Sequence, residues 1–452
     1  MEFITILDYL LLPFYLVVIY LIASRFRDRH YPPGHAWRPY FLPALTAKII
    51  GAIAIGLIYQ YYYGGGGDTS LYFYHAQIIN SALGDSVGKW FDLIFHIPPW
   101  YDGNYSEYIA VDKLFWYNSP TEYIIGQIAA FIGLITFTTY LPTSVFFAVL
   151  SFTGMWAMFR TFATLYKKLT KQVAWCILFI PSTIMWGSGI FKDTICMFGL
   201  GWMVYGAFRV LINRDTSPKV MVMTVLGFYL IAKIKVYILL AFLPALVLWI
   251  LFSYSHRINS YIGRLFLKVA VIGMSLVGFA YFSQYFAVEL GKYSVENLAK
   301  TATVTSTYIR GVSGDGGSAY TLFAGSDVSP KGMALNFFPA INVTLFRPYI
   351  WETRKVMQLL NAIEATLFLW VTIKVIFSVG LGRVWRTISS DPTIQFCLIF
   401  TVIFAFAVGL SSGNFGALSR YRIPCLPFYG LALVLIYYKN KPLDKNILAF
   451  RF

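Results

Sequence analysis

The chain has 452 residues, of which 58% are hydrophobic and only 12% are charged. Ordinary soluble domains contain about 25% charged residues, so this composition excludes a soluble protein. The net charge of +16 does not indicate a nucleic-acid partner, because Lys and Arg lie mostly in short segments between apolar runs, where they act as topology signals.

Apolar runs long enough to cross about 30 Å of hydrocarbon recur along the whole chain. Continuous runs of this kind favour helices over the alternating strands of a membrane barrel. The sequence therefore predicts an all-α polytopic transmembrane helical bundle of about 11–12 spans in a single integral membrane domain, 1–452. The predicted spans lie near residues 4–23, 43–63, 120–138, 142–163, 173–190, 194–212, 219–234, 236–254, 264–284, 357–379, 393–411 and 425–438.

Two long segments interrupt the predicted bundle. Residues 64–119 are rich in aromatic side chains and proline, which indicates amphipathic helices at the membrane surface. Residues 285–356 are polar and glycine-rich around 311–317, and we interpret them as a lid over the bundle.

The basic residues predict which side of the membrane each segment faces, because cations beside a span are retained in the cytoplasm. The cytoplasmic clusters are Arg25, Arg27, Arg29 and Arg38; Lys167, Lys168 and Lys171; Arg214 and Lys219; Arg257 and Arg264; Arg383 and Arg386; and Lys439, Lys441 and Lys445. Both long segments then face the periplasm of a bacterial inner membrane. Residues 120–166 contain two apolar runs where the charges allow one crossing, so we expect one run to be broken, re-entrant or interfacial.

Asp68 follows four glycines at the outer end of the second predicted span. Glycine lets the backbone turn sharply and approach a ligand, and an aspartate there can take a proton or hold a divalent cation. The alternative is a carboxylate that caps the next helix, since Asp-Thr-Ser is good capping chemistry.

Lys192 and Asp193 follow the Gly-Ser-Gly of 187–189, on the same predicted side as Asp68. Ionisable residues at membrane depth tend to mark binding or relay sites, although a helix dipole and a snorkelling lysine explain the pair equally well. Lys233 and Lys235 lie between two apolar stretches on the side that basic residues avoid, and a phosphate ligand explains them.

Arg420, Tyr421 and Arg422 open the last predicted span, and Arg347 closes the second long segment. The guanidinium fork suits bidentate phosphate contacts, so two arginines two positions apart indicate a diphosphate site. The alternative is anchoring at the membrane interface. Glu364, inside the span 357–379, we interpret as a helix-packing partner.

In this order, these features resemble the GT-C superfamily of membrane glycosyltransferases. The resemblance rests on an acid in the first long outer segment, the Pro-Ser, Gly-Ser-Gly and Lys-Asp element of 181–193, the Phe-Arg-Pro-Tyr of 346–349, and the Arg-Tyr-Arg-Ile-Pro of 420–424. It implies transfer of a sugar from a polyprenyl-(di)phosphate donor to a glycan, lipid or protein acceptor on the periplasmic face, with membrane lipids around the enzyme.

The resemblance also implies roles for individual residues. It makes Asp68 the catalytic base and Asp193 a second acidic residue of the catalytic site, which helps to bind a metal or to orient the substrate; either is a candidate ligand if a divalent metal ion takes part. The candidates for the lipid phosphate are Lys192, Lys233, Lys235, Arg347, Arg420, Tyr421 and Arg422. Asp68 departs from the family pattern because it lacks a paired acid and follows the second span. The alternatives are an O-antigen polymerase-like enzyme and, in another class, a flippase or transporter of a lipid-linked sugar.

Overall fold

A computed structural model describes residues 2–97, 108, 113–212, 214–215, 217–255, 320, 322, 330–353, 356–445 and 447–448. The predicted span 264–284 and most of the predicted lid 285–356 lie outside the described residues. The described chain forms two compact units, Met1–Ala174 with Thr183–Lys235 and Trp175–Ser182 with Val236–Phe452.

The regular elements of the described residues are all helices, which confirms the predicted all-α class. In chain order they are α1 (Ile6–His30), α2 (Arg38–Leu57), α3 (Asp68–Ser81), α4 (Val87–Ile94), α5 (Pro120–Gly133), α6 (Tyr140–Leu165), α7 (Thr170–Leu178), α8 (Pro181–Trp186), α9 (Lys192–Ala207), α10 (Pro218–Ser255), α11 (Pro330–Leu335), α12 (Phe337–Phe346), α13 (Val356–Val379), α14 (Leu381–Ser390), α15 (Pro392–Ser412), α16 (Phe415–Tyr421) and α17 (Leu426–Asn440). Two helices continue into π-helical turns, α2 into Ile58–Tyr62 and α9 into Phe208–Ile212.

Among the described helices, six are long and apolar enough to cross a membrane: α1, α2 with its π turn, α6, α10, α13 and α15. The pair α16 and α17, bent by 68°, adds a seventh if it is one broken span. The chain is therefore a multi-pass membrane protein. The other predicted spans coincide with shorter helices, with part of α10, or with residues outside the description.

The two apolar runs of 120–166 form helices of different length. Ser119 and Pro120 start α5, which has 14 residues and a length of about 21 Å, less than the thickness of the hydrocarbon layer. α6 has 26 residues and is long enough to cross. Of the two runs, only the one that forms α6 is a candidate span by length and composition.

The predicted spans 219–234 and 236–254 are joined in α10 without a loop. Its 38 helical residues are interrupted at Lys235, where φ is −146° and ψ is 70°. A straight helix of this length would measure about 57 Å, nearly twice the thickness of the hydrocarbon layer. The break at Lys235 therefore separates two apolar stretches that sequence patterning had predicted as two spans.

Described residues of the predicted surface segment 64–119 form α3 and α4. α3 buries Tyr72, His75 and Ala76, and a Cβ on Gly126 of α5 would lie 2.9 Å from the Cβ of His75. Helices α3 and α5 therefore pack closely on each other, so α5 as well as the apolar face of α3 determines where α3 lies.

Helices of the second unit begin and end at residues that satisfy their terminal backbone groups. The Asp391 carboxylate accepts hydrogen bonds from the N–H groups of Thr393 (2.7 Å) and Ile394 (3.2 Å) at the start of α15. Gly413 ends α15 with φ 59°, and the Asn414 side chain then caps α16 through the Gly416 N–H at 2.6 Å. These caps fix the turn between α15 and α16, the helix that contains Arg420.

Glycines bring α6 and α9 of the first unit into backbone contact. A Cβ on Gly201 would lie 1.9 Å from the carbonyl oxygen of Gly154, and a Cβ on Gly154 would lie 2.3 Å from that of Phe198. On α10, Gly227 approaches Gly199 in the same way. Small residues at helix contacts allow close van der Waals packing, which stabilises helix association in lipid.

Gly201→Ala should therefore destabilise the protein by about 1–3 kcal/mol, the usual cost of overpacking a filled contact. Thermal unfolding of the detergent-purified chain measures the effect. Gly84→Ala is the matched control, because a Cβ at Gly84 meets nothing within 4 Å. Equal unfolding temperatures for the two variants would contradict the packing described for α6 and α9.

Candidate functional site

Asp68 is the first residue of α3 and follows a glycine turn. Gly65 and Gly67 have φ angles of 77° and 118°, which residues with a Cβ rarely adopt. The hydroxyls of Thr69 and Tyr140 lie 2.6 Å apart and join the start of α3 to the start of α6. The turn thus presents a half-buried carboxylate at a helix N-terminus, where the helix dipole favours negative charge.

Lys192 is the first residue of α9 and forms an ion pair with Glu122 of α5. Burial lowers the pKa of the Lys192 ammonium, and the carboxylates of Glu122 and Asp68 oppose that change. Lys192 therefore lies within electrostatic range of two carboxylates from two other helices. Sequence reasoning missed Glu122, because an acid in the first turn of a helix looks like ordinary capping chemistry.

The turn before Lys192 is held by a second lysine that sequence reasoning missed. Lys48 lies within α2, is buried, and donates hydrogen bonds to the carbonyl oxygens of Thr183 and Gly187, both at 2.8 Å. Carbonyls at the end of a helix have no partner within it, and a cation there satisfies them. Lys48 therefore fixes the backbone that leads from α8 into α9.

Asp193 and Lys235 form a buried ion pair. The Lys235 ammonium lies 2.5 Å from Oδ1 of Asp193, and the two side chains are 7% and 1% exposed, respectively. Lys235 is also the residue at which α10 departs from helical geometry. Two charges in an apolar interior are tolerated only when they are paired in good geometry, so this pair joins the break in α10 to the start of α9.

The structure thus brings together five ionisable residues, the carboxylate–lysine group: Asp68, Glu122, Lys192, Asp193 and Lys235. Sequence analysis had singled out four of them. Lys233 is exposed and belongs to none of the described ion pairs. Burial lowers the pKa of His96, and the charge of Lys233 lowers it further, which places Lys233 near the end of α4.

His75, two turns after Asp68 on α3, is a further buried polar residue that sequence reasoning did not assign. Its ring stacks on Trp116 and meets Phe115 edge-on, with centroid distances of 5.1 and 4.5 Å. Neither ring nitrogen has a hydrogen-bond partner among the described residues. Burial accordingly lowers the pKa of His75 to about 4, so the imidazole is neutral at ordinary pH.

In the second unit, Arg422 is fully buried; protein groups hold its two terminal guanidinium nitrogens, and its Nε has no hydrogen-bond partner among the described residues. It pairs with Glu364 at 3.2 Å and donates to the carbonyl oxygens of Arg347 (3.0 Å) and Asn361 (3.3 Å). Glu364 also accepts a hydrogen bond from the Ser182 N–H at 2.7 Å. These contacts give Arg422 and Glu364 a packing role in the described structure.

Arg347 is half-buried and forms an ion pair with Glu352. Burial raises the pKa of Glu352, but hydrogen bonds from Arg347 and from the Tyr349 N–H outweigh it and leave the pKa below its ordinary value. The Arg347 guanidinium also lies 5.2 Å from the ring centre of Phe415 and 5.9 Å from that of Tyr320. Aromatic faces of this kind stabilise a cation.

Arg420 and Tyr421, at the end of α16, are each half-buried. Of the residues predicted from the sequence, Arg347 and the segment 420–422 therefore belong to the second unit, while the two aspartates and three lysines belong to the first. Comparison with protein-family models, with curated proteins and with solved structures found no match.

A divalent metal does not fit the arrangement around Asp193. Its carboxylate is occupied by the Lys235 ammonium, which repels a second cation. Within the described ranges, no three side chains of the His, Cys, Asp and Glu types are grouped to hold a metal ion.

Asp193→Asn should cost about 3–5 kcal/mol of stability, because it leaves the buried Lys235 ammonium without its carboxylate. The double variant Asp193→Leu/Lys235→Met should recover most of that loss. Thermal unfolding of the purified chain tests both, and Asp85→Asn, in an exposed pair with Lys89 at 3.8 Å, is the control. A single variant as stable as the control would show that the buried pair contributes nothing.

His75 should make stability fall as the pH falls. The ordinary pKa of histidine, about 6.5, applies to the unfolded chain, and the folded value is about 4, so between these values only the unfolded chain binds the proton. Stability should therefore drop more steeply from pH 7 to pH 4 in wild type than in His75→Phe. Identical slopes for wild type and His75→Phe would contradict the buried neutral state.

Proposed function

We propose that this protein is a membrane glycosyltransferase that transfers a sugar from a polyprenyl-(di)phosphate donor to an acceptor hydroxyl on a glycan, lipid or protein. The observation that supports it most directly is the carboxylate–lysine group. Four helices, α3, α5, α9 and α10, each contribute to it, and ionisable groups gathered inside a membrane protein usually serve binding or catalysis.

In this proposal Asp68 is the general base. It takes the proton of the acceptor hydroxyl as the acceptor oxygen bonds to the anomeric carbon of the sugar. The bond from that carbon to the phosphate oxygen breaks, and the phosphate leaves with its electron pair. Asp68 suits the role better than Asp193, since its carboxylate is half-buried at a helix start and Asp193 is buried against an ammonium.

Lys192 is suited to stabilise negative charge. Its ammonium has three N–H donors, and the described contacts use them on Glu122 and on the Thr121 hydroxyl at 3.3 Å. A cation that acts in a water-poor site stabilises a leaving phosphate strongly, because the local dielectric is low. We propose that Glu122 holds Lys192 in place until a phosphate competes for the ammonium.

The arginines of the second unit remain candidates for donor binding in this proposal, but not equally. Arg347 lies among aromatic rings and Arg420 is half-buried with Tyr421 beside it. Arg422 is engaged by Glu364 and by backbone carbonyls. Arg347, Arg420 and Tyr421 are therefore the candidates that the second unit offers for a phosphate group, and we assign Arg422 to the packing of that unit.

The location proposed for this reaction is the periplasmic face of a bacterial inner membrane. It is supported by the basic clusters of the sequence, which alternate with segments that lack them. A polyprenyl-linked donor carries its own activated bond, so no nucleotide is needed on that side.

Asp68→Asn should bind the donor as wild type does and lower turnover by about 10²–10⁴-fold, as expected for loss of a general base. Asparagine keeps the shape of aspartate but loses the negative charge that the α3 dipole favours, so stability should fall by no more than about 1 kcal/mol. The assay is release of polyprenyl phosphate from a labelled donor in proteoliposomes. Asp85→Asn, an exposed acid of the same segment, is the matched control and should retain full turnover.

Normal turnover by Asp68→Asn would exclude Asp68 as the base. A wild-type protein that moves the labelled lipid across the bilayer without cleaving it would contradict the transferase proposal and favour a flippase. Products that grow by whole oligosaccharide repeats would favour the polymerase-like alternative.

A further inference from the structure

Two arginines and a tyrosine form a second polar group in the first unit. Arg160 of α6 donates from Nη2 to the Tyr205 hydroxyl at 2.8 Å, and Arg209 donates from Nη1 to the same hydroxyl at 3.3 Å. Their guanidinium carbons lie 4.7 and 5.7 Å from the centre of the Tyr205 ring. Arg160 lies twenty positions after Tyr140, or about 30 Å along α6, so this group is a membrane thickness away from Asp68.

The described carboxylates near this group leave Arg160 without an acidic partner. Asp215 pairs with Arg209, and Asp28 pairs with Arg27 and Arg38 at 2.8 Å. No ion pair or carboxylate contact of Arg160 occurs in the described part of the chain.

Both guanidinium groups also keep unused donors. The Nε atoms of Arg160 and Arg209 are buried and have no hydrogen-bond partner among the residues that the structure describes. An arginine has five N–H donors, and burying one without an acceptor costs free energy. Two like charges at one tyrosine ring also repel each other. An anion with several oxygens would accept hydrogen bonds from the unpaired donors and would also reduce the repulsion between the two guanidinium groups.

The surroundings indicate where this anion comes from. Tyr31 accepts a hydrogen bond from Trp156 at 2.8 Å, and Trp37 and Trp202 lie in the same region, against Phe159 and Tyr205. Tyr and Trp collect at the headgroup level of a bilayer. Arginines that merely snorkel to that level expose their charged ends to water. Buried Nε atoms are not expected of them.

We propose that Arg160, Arg209 and Tyr205 form a phosphate-binding site at the end of the first unit opposite Asp68. The ligand chemistry is a phosphate group, either in an anionic lipid headgroup or as the free ion. This inference does not depend on the proposed function.

Binding to the full-length, detergent-purified chain tests the site, with short-chain phosphatidic acid and inorganic phosphate as separate probes. Wild type should bind at least one probe, and Arg160→Gln should bind it at least about ten-fold more weakly, because a charge-assisted contact is lost. Lys168→Gln is the matched control: it removes one exposed positive charge eight positions further along, just beyond α6, and should bind as wild type does.

The two probes distinguish the sources of the phosphate. If the protein binds phosphatidic acid but not inorganic phosphate, the ligand is a lipid headgroup. If it binds inorganic phosphate but not phosphatidic acid, the ligand is the free ion. Equal weakening in Arg160→Gln and Lys168→Gln would overturn the proposal, since it indicates diffuse charge attraction. Absence of binding by wild type would overturn it as well. If Arg160→Gln does not fold, Arg160→Lys decides: it keeps the charge, loses the planar fork and should still weaken binding.

Discussion

The requirement that a buried charge be paired organises both units of this protein. In the first unit the Lys235 ammonium meets Asp193 at 2.5 Å, and in the second the Arg422 guanidinium meets Glu364 at 3.2 Å. The paired residues are 42 positions apart in the first unit and 58 positions apart in the second. Apolar side chains hold the same helices together, but they are interchangeable, whereas a charge without its partner costs several kcal/mol.

The hydropathy of the sequence was enough to predict the fold class, but not the length or continuity of each helix. Residues 120–138 and 219–254 show why. Both stretches are apolar, yet Pro120 and the turn after Gly133 limit α5 to 14 residues, while Lys235 breaks α10 without ending it. Turn geometry and one non-helical residue decide these cases, and neither changes the average hydropathy.

The candidate site was predictable only in part, for a similar reason. Asp68, Lys192, Asp193 and Lys235 stood out because they are charged where the surrounding sequence is apolar. Glu122 did not, because its partner Lys192 lies 70 positions away along the chain. Spacing alone does not show how far each arginine of the pair is buried. Arg420 and Arg422 are two positions apart at the end of a helix, and they differ in burial because successive helical residues point in different directions.

The same pairing rule separates residues that build the candidate site from those suited to act in it. Asp193 has a cation 2.5 Å from one oxygen and almost no exposure, so taking a proton from a substrate would strand the Lys235 charge. We therefore interpret Asp193 as a positioning residue, because its ion pair fixes the start of α9 and thereby the direction of Lys192. Asp68 is more exposed: it is half-buried and follows a glycine turn. A carboxylate that changes its protonation state must be able to do so without unpairing a buried charge. Of the two aspartates in the carboxylate–lysine group, Asp193 does not meet that condition, and Asp68 is the more exposed of the two.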